Sequence, residues 1–434
     1  MARKQELSRR PALAPFEVSS FRFQWPADLL TSWAFEMETL VLGWYVLVET
    51  GSVLWLTIFG ALGYGGTLLA PMLGVASDRI GHRTVLCTMR AIYATIAATL
   101  MTLAFAGALT PLLVCTLAAL TGLVRPSDLG LRGVLIAETM PMHLLTAAMG
   151  ISRTTSDSAR VAGALAGAAL FAAFGIAEAY IAITSFYLLG ALLTLGVAPS
   201  RAHTPAPAAA AELATSTSMG RSISRSISPW HDLREGIAHV WNTPSLLAVV
   251  WLAFLFNLTA FPITNGLLPY VAREVYGIDQ TGLGYLVASF AFGAVLGSIA
   301  VSRYGIAIAL ARLMLVAAVA WYVLLLIFAQ MQSLLGGIVS LTLAGFAQSL
   351  SMVSLTVILL RTSEARLRGR IVGVRMLAIY SLPLGLLTAG ALIGRIGFDA
   401  TVTAYAATGL AFTILIAVRW RAPLWHLQAP KEGS

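Results

Sequence analysis

The stretch GVASDRIGHR, residues 74–83, separates two apolar segments that are each long enough to cross a membrane. Gly74 and Gly81 permit a tight turn, and Asp78, Arg79 and Arg83 make that turn charged. A short charged turn between two long apolar segments predicts two membrane-spanning helices with a loop at the membrane surface. The rest of the chain repeats this alternation.

The composition excludes a soluble globular protein. Of the 434 residues, 58% are hydrophobic and only 11% are charged, and the mean hydropathy is +0.83. Soluble domains carry about 25% charged residues. We therefore predict an integral membrane protein, and its first apolar segment is too long for the core of a cleaved signal peptide.

The apolar segments predict an all-α membrane protein with twelve transmembrane helices in two six-helix repeats, because none alternates as a β-barrel strand does. A stretch rich in Ala, Ser and Pro separates the sixth segment from the seventh. Spans 1 to 12 are predicted at residues 22–48, 52–76, 84–107, 110–136, 148–174, 177–198, 244–272, 279–302, 308–329, 332–360, 372–395 and 398–418. The predicted domains are an N-terminal tail (1–21), a first bundle (22–198), a linker with an amphipathic helix (199–243), a second bundle (244–420) and a C-terminal tail (421–434).

Most of the 28 Lys and Arg residues lie in the tails and in every second gap between spans. The positive-inside rule then predicts a multi-pass protein of a bacterial inner membrane with both termini in the cytoplasm. The positive charge serves topology and contact with lipids, so nucleic acid is not an expected partner.

Residues 74–83 resemble the G-x-x-x-D-R-x-G-R-R loop signature of the major facilitator superfamily, with His82 at one of the basic positions. The wider sequence is similar to the branch that contains drug exporters and enterobactin-type siderophore exporters. The segments that carry this similarity are WYVLVETGS (44–52), ARVAGALAG (159–167), LREGIAHVWNTPSL (233–246) and LRGRIVGVRMLAIYSLPLG (367–385).

The resemblance implies that the signature loop is a gate between the two halves, with Asp78 meeting the start of span 11 near Arg370. The loop residues given this role are Gly74, Asp78, Arg79, Gly81 and Arg83. The second-half counterpart, GSIAVSRYG (297–305), has Ser302 in place of the aspartate. In span 5, GALAGA (163–168) lacks the proline and the last glycine of the superfamily's antiporter signature, so a transport role and plain helix packing both stay open.

Spans 4 and 5 each carry two arginines and an aspartate on one helix face. These residues are Arg125, Asp128 and Arg132 in span 4, and Arg153, Asp157 and Arg160 in span 5. Because neighbouring spans run antiparallel, equal depth predicts a ladder of ion pairs between the two helices. The alternatives are a static clamp, or a site in which Arg125 or Arg160 holds an anionic substrate group or tunes a proton-carrying carboxylate. The superfamily often has a span 4 arginine implicated in proton coupling where Gly122-x-x-Arg125 stands, which favours the second alternative.

Span 1 supplies candidate proton carriers. Asp28 and Glu36 share one side of the predicted helix, with Glu36 near its centre, and Glu38 points elsewhere. Carboxylates at that depth suit proton transfer because apolar surroundings favour their neutral form. The alternatives are an interfacial position for Asp28 and neutralisation of an arginine by Glu36 or Glu38.

Span 7 is the candidate substrate helix. Asn257, Phe261 and Asn265 are predicted on one face, and Pro262 with Pro269 weakens the helix. Broken helices at corresponding places in two repeats are typical of a transporter's substrate site, although a packing kink produces the same pattern. Further candidates for an aromatic, amphipathic cavity are Trp33, Tyr285 and Gln348.

These patterns predict a proton-coupled exporter of a small amphipathic molecule, such as a drug, siderophore or metabolite, that works by alternating access as a monomer. Its expected partners are that substrate, protons and membrane lipids. No catalytic constellation, cofactor site or metal-ligand spacing stands out, so an enzyme is not expected. Uptake or facilitated diffusion by the same fold, and a non-transporting receptor, are the alternatives.

Overall fold

The computed structural model describes residues 11–198, 229–304, 310–362 and 377–421, and the regular elements within those ranges are helices. The prediction of an all-α membrane protein is confirmed. The linker at 199–228, the tails at 1–10 and 422–434, and Arg370 lie outside the described residues, as does the side chain of Asp78.

Each predicted span corresponds to a helical segment. Spans 1 to 6 are Ser19–Thr50, Val53–Leu62 with Ala70–Ile80, His82–Phe105, Pro111–Thr139, Met142–Phe174 and Ile176–Leu195. Spans 7 to 12 are Pro244–Val275, Gln280–Tyr304, Leu310–Ala329, Leu334–Thr362, Leu377–Ile396 and Phe398–Arg419. Within the described ranges, ten helices are long and apolar enough to cross a membrane. Span 1 carries several acidic residues and span 2 is interrupted, which is why these two are not among the ten.

The segments that flank the bundles are also partly helical. A short 3-10 helix, Pro11–Glu17, precedes span 1, so span 1 begins at Ser19, inside the predicted tail. An amphipathic helix, Pro229–Asn242, precedes span 7 and presents Ile237 and Trp241 at the surface.

The spans pack as two groups of six. In the first bundle, span 1 packs against spans 5 and 6, and span 3 packs against span 6. In the second bundle, span 8 packs against span 10, and span 9 packs against spans 10 and 12. Span 5 meets span 8, and span 2 meets span 11, to join the two bundles. Small residues permit the first of these contacts, since a Cβ added to Gly284 would lie 2.5 Å from the Cβ of Ala168.

Several contacts between the bundles lie at the end of the molecule opposite the chain termini, called here the distal end. Arg273 of span 7 donates a hydrogen bond from Nη1 to the carbonyl oxygen of Leu47, near the end of span 1, at 2.7 Å. One turn earlier, Gly43 packs against the ring of Pro269. The distal ends of spans 1 and 7 are therefore held together.

Span 2 is interrupted where it meets span 4. Its first helix ends at Leu62 and the second begins at Ala70, with a 3-10 segment, Gly65–Leu68, between them. A Cβ on Gly66 would overlap the backbone of Gly122 and Leu123, and one on Gly122 would overlap the backbone at Leu62. Only glycine permits this approach, so the two backbones touch one turn before Arg125. The broken helix of the first bundle is therefore span 2, whereas span 1 is one continuous helix.

Candidate functional site

Four charged side chains form an ion-pair network inside the first bundle. Asp28 of span 1 pairs with Arg90 of span 3, and Asp128 pairs with Arg132 within span 4. The Nε of Arg132 also lies 3.7 Å from Asp28 Oδ1. All four residues are buried. Two carboxylates balance two guanidinium groups, which makes their burial in an apolar bundle tolerable.

Polar neighbours extend this network to span 6. Arg132 donates to Ser32 Oγ at 2.7 Å, and its own carbonyl oxygen accepts a hydrogen bond from Gln24 Nε2 at 3.0 Å. Arg90 donates to Thr194 in span 6. Sequence reasoning missed Arg90, although a single arginine inside an apolar span is itself the signal that a buried carboxylate faces it.

The predicted ladder between spans 4 and 5 is wrong. Arg132 pairs with Asp128 on its own helix and with Asp28 of span 1, and Arg153 pairs with Asp157 on its own helix, with 3.2 Å between Nε and Oδ2. The physical reason is packing: span 5 lies mainly against spans 1 and 8, so span 4 directs its charges towards span 1.

Glu38 of span 1 is buried against span 6. Its side chain is buried, and Oε2 accepts a hydrogen bond from the hydroxyl of Tyr187 at 2.7 Å. The buried Tyr180 lies within electrostatic range of the same carboxylate. Glu38 thus points away from Glu36, but Asp28 is buried in the interior of the first bundle as Glu38 is, so the prediction that Asp28 and Glu36 share one side is wrong.

Arg125 lies beside span 1, between the two glutamates. Its Nη1 donates to Thr39 Oγ1 at 3.1 Å, and its Cζ lies 4.5 Å from the centroid of the Phe35 ring. Glu36 and Glu38 both lie within electrostatic range of this guanidinium group, and Glu36 has the stronger effect. Arg125 and Glu36 are both partly exposed, unlike the ion-pair network.

Arg160 of span 5 reaches the second bundle. Gly163, one turn further along, packs against Glu36, because a Cβ built there would lie 3.0 Å from the Cβ of Glu36. This contact sets Arg160 close to span 1, and its Nη2 lies 3.5 Å from Oδ1 of the exposed Asn265 in span 7. The central cluster, defined as Glu36, Tyr64, Arg125, Arg160 and Asn265, therefore joins the two bundles.

Tyr64 belongs to this cluster and was missed by sequence reasoning. Arg125, Arg160 and Glu36 all lie within electrostatic range of its hydroxyl. The residue stands in the interruption of span 2, within the glycine-rich run at 60–66. A tyrosine among helix-breaking glycines in a membrane span was the available signal, because irregular backbone at that depth occurs where it lines a cavity.

Span 7 does not present its three predicted residues together. Its π-helical turn, Phe256–Ala260, adds a residue to the turn and rotates the positions on either side relative to one another. Asn257 donates to the carbonyl oxygen of Ala253 on its own helix at 2.9 Å, and Phe261 packs on Trp321 with ring centroids 5.3 Å apart. Of the three, Asn265 is the one that meets the central cluster.

The remaining candidates occupy separate places. Trp33 is partly exposed and stacks edge-on against Phe186 in span 6, with ring centroids 6.2 Å apart. Gln348 is buried in span 10. Tyr285 is exposed in span 8 on the same side as the apolar Phe292, and the described contacts do not tie it to the central cluster.

Side chains of the signature loop make polar contacts with spans 4 and 6. Gly81 has φ +97°, a conformation that favours glycine. Arg83 donates to the carbonyl oxygen of Leu195 at the end of span 6, and His82 Nδ1 lies 2.8 Å from Oε1 of Glu138. Arg79 is exposed. The predicted gating contact between Asp78 and Arg370 stays a prediction.

The chain, with its helices, signature loop and charged centre, matches one known family over most of its length. The model of the Major Facilitator Superfamily matches residues 29–382. The chain belongs to the major facilitator superfamily. No curated protein matches it.

Solved transporters of this superfamily's fold are similar to the chain. The POT family transporter PepTSo aligns with a TM-score of 0.74 and 12% identity, over 95% of this chain and 99% of its own. The nucleoside transporter NupG aligns with a TM-score of 0.65 and 15% identity, over 94% of this chain and 100% of its own. The human organic anion transporter MFSD10 (TETRAN) aligns with a TM-score of 0.61 and 16% identity, over 92% of this chain and 99% of its own. At these identities the likeness shows the fold.

Membership of the superfamily supports a multi-pass membrane protein that acts as a secondary transporter. Within the described ranges, no group of three or more His, Cys, Asp and Glu side chains could hold a metal ion. A transporter of this superfamily implies a small-molecule substrate.

Proposed function

We propose that this major facilitator protein is a proton-coupled transporter that exports a small amphipathic molecule, in the branch of the drug and siderophore exporters. The observation that carries the proposal is the central cluster, in which Glu36, Arg125 and Arg160 are partly exposed and Arg160 reaches Asn265 of the other bundle. Ionisable groups this deep in a membrane protein are costly, with about 2.5–3.5 kcal/mol for a charge at the centre of a helix, and mark substrate and ion pathways.

The chemistry of the cluster supports a substrate that carries an anionic group. Two guanidinium groups face one partly exposed carboxylate, while Glu38 is turned into the bundle interior and bonded to Tyr187. The surplus positive charge favours a carboxylate or phenolate on the substrate, and the partly exposed Trp33, one helical turn before Glu36, favours an apolar portion.

The position of Glu36 supports proton coupling. It lies against Gly163 of span 5 and within electrostatic range of Arg125, so its charge is felt by the same guanidinium groups that would bind the substrate. A charge on Glu36 and an anionic group on the substrate therefore act on the same arginines, which makes proton binding and substrate binding interdependent.

The proposed working unit is a monomer in a bacterial inner membrane with both termini in the cytoplasm. The bundles at 22–198 and 244–420 rock about the central cluster, and the linker at 199–243 joins them. With that orientation, the distal contact between Arg273 and Leu47 supports a state closed towards the outside. The signature loop, with Asp78 near Arg370, would latch the opposite state.

The test is proton flux in proteoliposomes that contain the purified protein and have an acid interior. Norfloxacin, which carries a carboxylate, and enterobactin, which carries catechols, are added outside to the wild type, to Glu36→Gln and to Glu49→Gln. Glu49 is an exposed carboxylate on the same helix and serves as the matched control. We expect a compound to dissipate the gradient with the wild type and Glu49→Gln, and to lose that effect with Glu36→Gln.

Other results would replace the proposal. Movement of labelled compound without proton flux would indicate facilitated diffusion. Movement with protons in the same direction would indicate uptake by symport. Binding of a compound without any movement would indicate a receptor.

A further inference from the structure

The interior of the first bundle contains polar groups that the substrate pathway does not use. Several side-chain atoms there are buried and, among the described residues, have no hydrogen-bond partner. They are Gln24 Oε1, Arg90 Nε, Tyr93 OH, Ser127 Oγ, Asp128 Oδ1 and Arg132 Nη2. Buried polar groups in proteins are almost always satisfied, commonly by ordered water. Their concentration around the ion-pair network indicates a site that binds internal water.

Tyr93 stands at the deep end of this group. It lies three residues, or about one helical turn, further into the bundle than Arg90. Its side chain is buried, and Asp128, Arg132, Arg125 and Arg90 all act electrostatically on its hydroxyl. Its hydroxyl therefore extends the network towards the membrane centre.

Tyr187 continues the series from Tyr93 to Glu38. The rings of Tyr93 and Tyr187 pack with centroids 5.6 Å apart, and the Tyr187 hydroxyl donates to Glu38 Oε2 at 2.7 Å. Along span 1, Asp28 and Glu38 are ten residues apart, which is about 15 Å of helix. Tyr93 and Tyr187 occupy the interval between them, on spans 3 and 6.

Phe35 contacts both this series and the central cluster. Its buried ring packs on Tyr93 and Tyr187, with centroids 4.9 Å and 5.4 Å away, and on the guanidinium group of Arg125 at 4.5 Å. Tyr93, Tyr187 and Glu38 are buried, whereas Glu36, Arg125 and Arg160 are partly exposed. The two sets of polar groups therefore differ in exposure, and the Phe35 ring packs on members of both.

We propose that the first bundle contains a proton path from the ion-pair network through Tyr93 and Tyr187 to Glu38, separate from the substrate cavity. This inference rests on the proposed proton coupling and assigns to it a second proton acceptor, Glu38, beside Arg125 and in addition to Glu36. A proton arrives by internal water at the Tyr93 hydroxyl oxygen, and Tyr93 releases its own hydroxyl proton to a second internal water, because its hydroxyl has no direct hydrogen bond to Tyr187. Tyr187 then passes its proton to Glu38 Oε2 and takes one from that second water, so each tyrosine ends with the charge it had. Glu38 becomes neutral, and its hold on Arg125 weakens.

The test follows the protonation of Glu38 directly. After a rapid fall in pH, time-resolved infrared spectroscopy of the reconstituted protein detects the carboxylic C=O band, which is assigned by its loss in Glu38→Gln. We expect Tyr93→Phe to slow the rise of this band by roughly 10- to 100-fold, because a positioned proton carrier contributes on the order of 10²-fold. Tyr276→Phe removes a buried hydroxyl that has no hydrogen-bond partner among the described residues, at the distal end of span 7, and is the matched control. Tyr276→Phe is expected to leave the rate unchanged.

Two results would overturn the inference. These are a wild-type rate with Tyr93→Phe and a band that persists in Glu38→Gln. The first indicates that protons reach Glu38 by another route, and the second indicates that Glu38 does not take up a proton. Neither of these depends on a substrate, so they are distinct from failure of the proposed function, which appears as wild-type transport without proton flux.

Discussion

Arg273 Nη1 donates to the carbonyl oxygen of Leu47 at 2.7 Å, and that same oxygen accepts the backbone N–H of Gly51 at 2.9 Å. A guanidinium group thus binds the carbonyl end of span 1, where the helix dipole is negative. The contact joins a helix of each bundle at the distal end, so it stabilises the state in which that end is closed.

We expect Arg273→Ala to open the distal end more often. The measurement is thiol labelling of Val271→Cys, a buried position beside it, in a background without Cys87 and Cys115. Loss of a hydrogen bond to a charged group, about 1.5–3 kcal/mol, predicts labelling faster by roughly tenfold or more. Glu274→Gln is the control, because it removes the ion-pair partner of Arg273 and leaves the contact with Leu47. Equal labelling of both variants would contradict the role of Arg273.

The ion-pair network predicts an asymmetry between single and double substitutions. Asp28→Asn leaves the buried guanidinium of Arg90 without its counter-charge, which costs about 3–5 kcal/mol. The double variant Asp28→Leu/Arg90→Leu removes both charges, and we expect it to be more stable than either single variant. Thermal unfolding in detergent micelles compares them, and additive losses would show that the pair is not coupled.

The break in span 2 predicts a strict need for glycine at position 122. A methyl group on Gly122 would overlap the backbone at Leu62, and we expect Gly122→Ala to cost about 1–3 kcal/mol by overpacking. Gly130, on the same helix, has open space at its Cβ position, so Gly130→Ala is the matched control and should be neutral or slightly stabilising. Similar stability of the two variants would contradict backbone contact between spans 2 and 4.

The contact between Arg160 and Asn265 predicts that substitutions of these two side chains have interdependent effects on substrate binding. We expect Arg160→Gln to raise the dissociation constant of norfloxacin about tenfold, which corresponds to ~1.4 kcal/mol. Arg153→Gln is the control, because the Arg153 side chain is 75% exposed on the same helix and pairs with Asp157. A double-mutant cycle with Asn265→Ala, read by fluorescence titration, should be non-additive if both side chains hold the same ligand.

The sequence predicted the helices well because membrane burial imposes a strong local rule. A span needs about 20 apolar residues, and its backbone must satisfy its own hydrogen bonds. Span 3, predicted at 84–107 and observed at His82–Phe105, illustrates how closely composition fixes such an element. The interruption of span 2 was harder to predict from the sequence, because glycines at 63, 65 and 66 are equally typical of close helix packing and of a helix break.

The amino-acid sequence by itself determined the twelve helices, the loop signature and the identity of the deeply placed charges. The tertiary structure decided which charges meet: Asp28 faces Arg90, Glu38 faces Tyr187, and Arg160 reaches Asn265. The physical reason is that helical periodicity fixes the direction of a side chain on its own helix, whereas its partner depends on which helix packs there. That choice is made by small residues such as Gly163 and Gly122, whose missing side chains admit a neighbouring backbone.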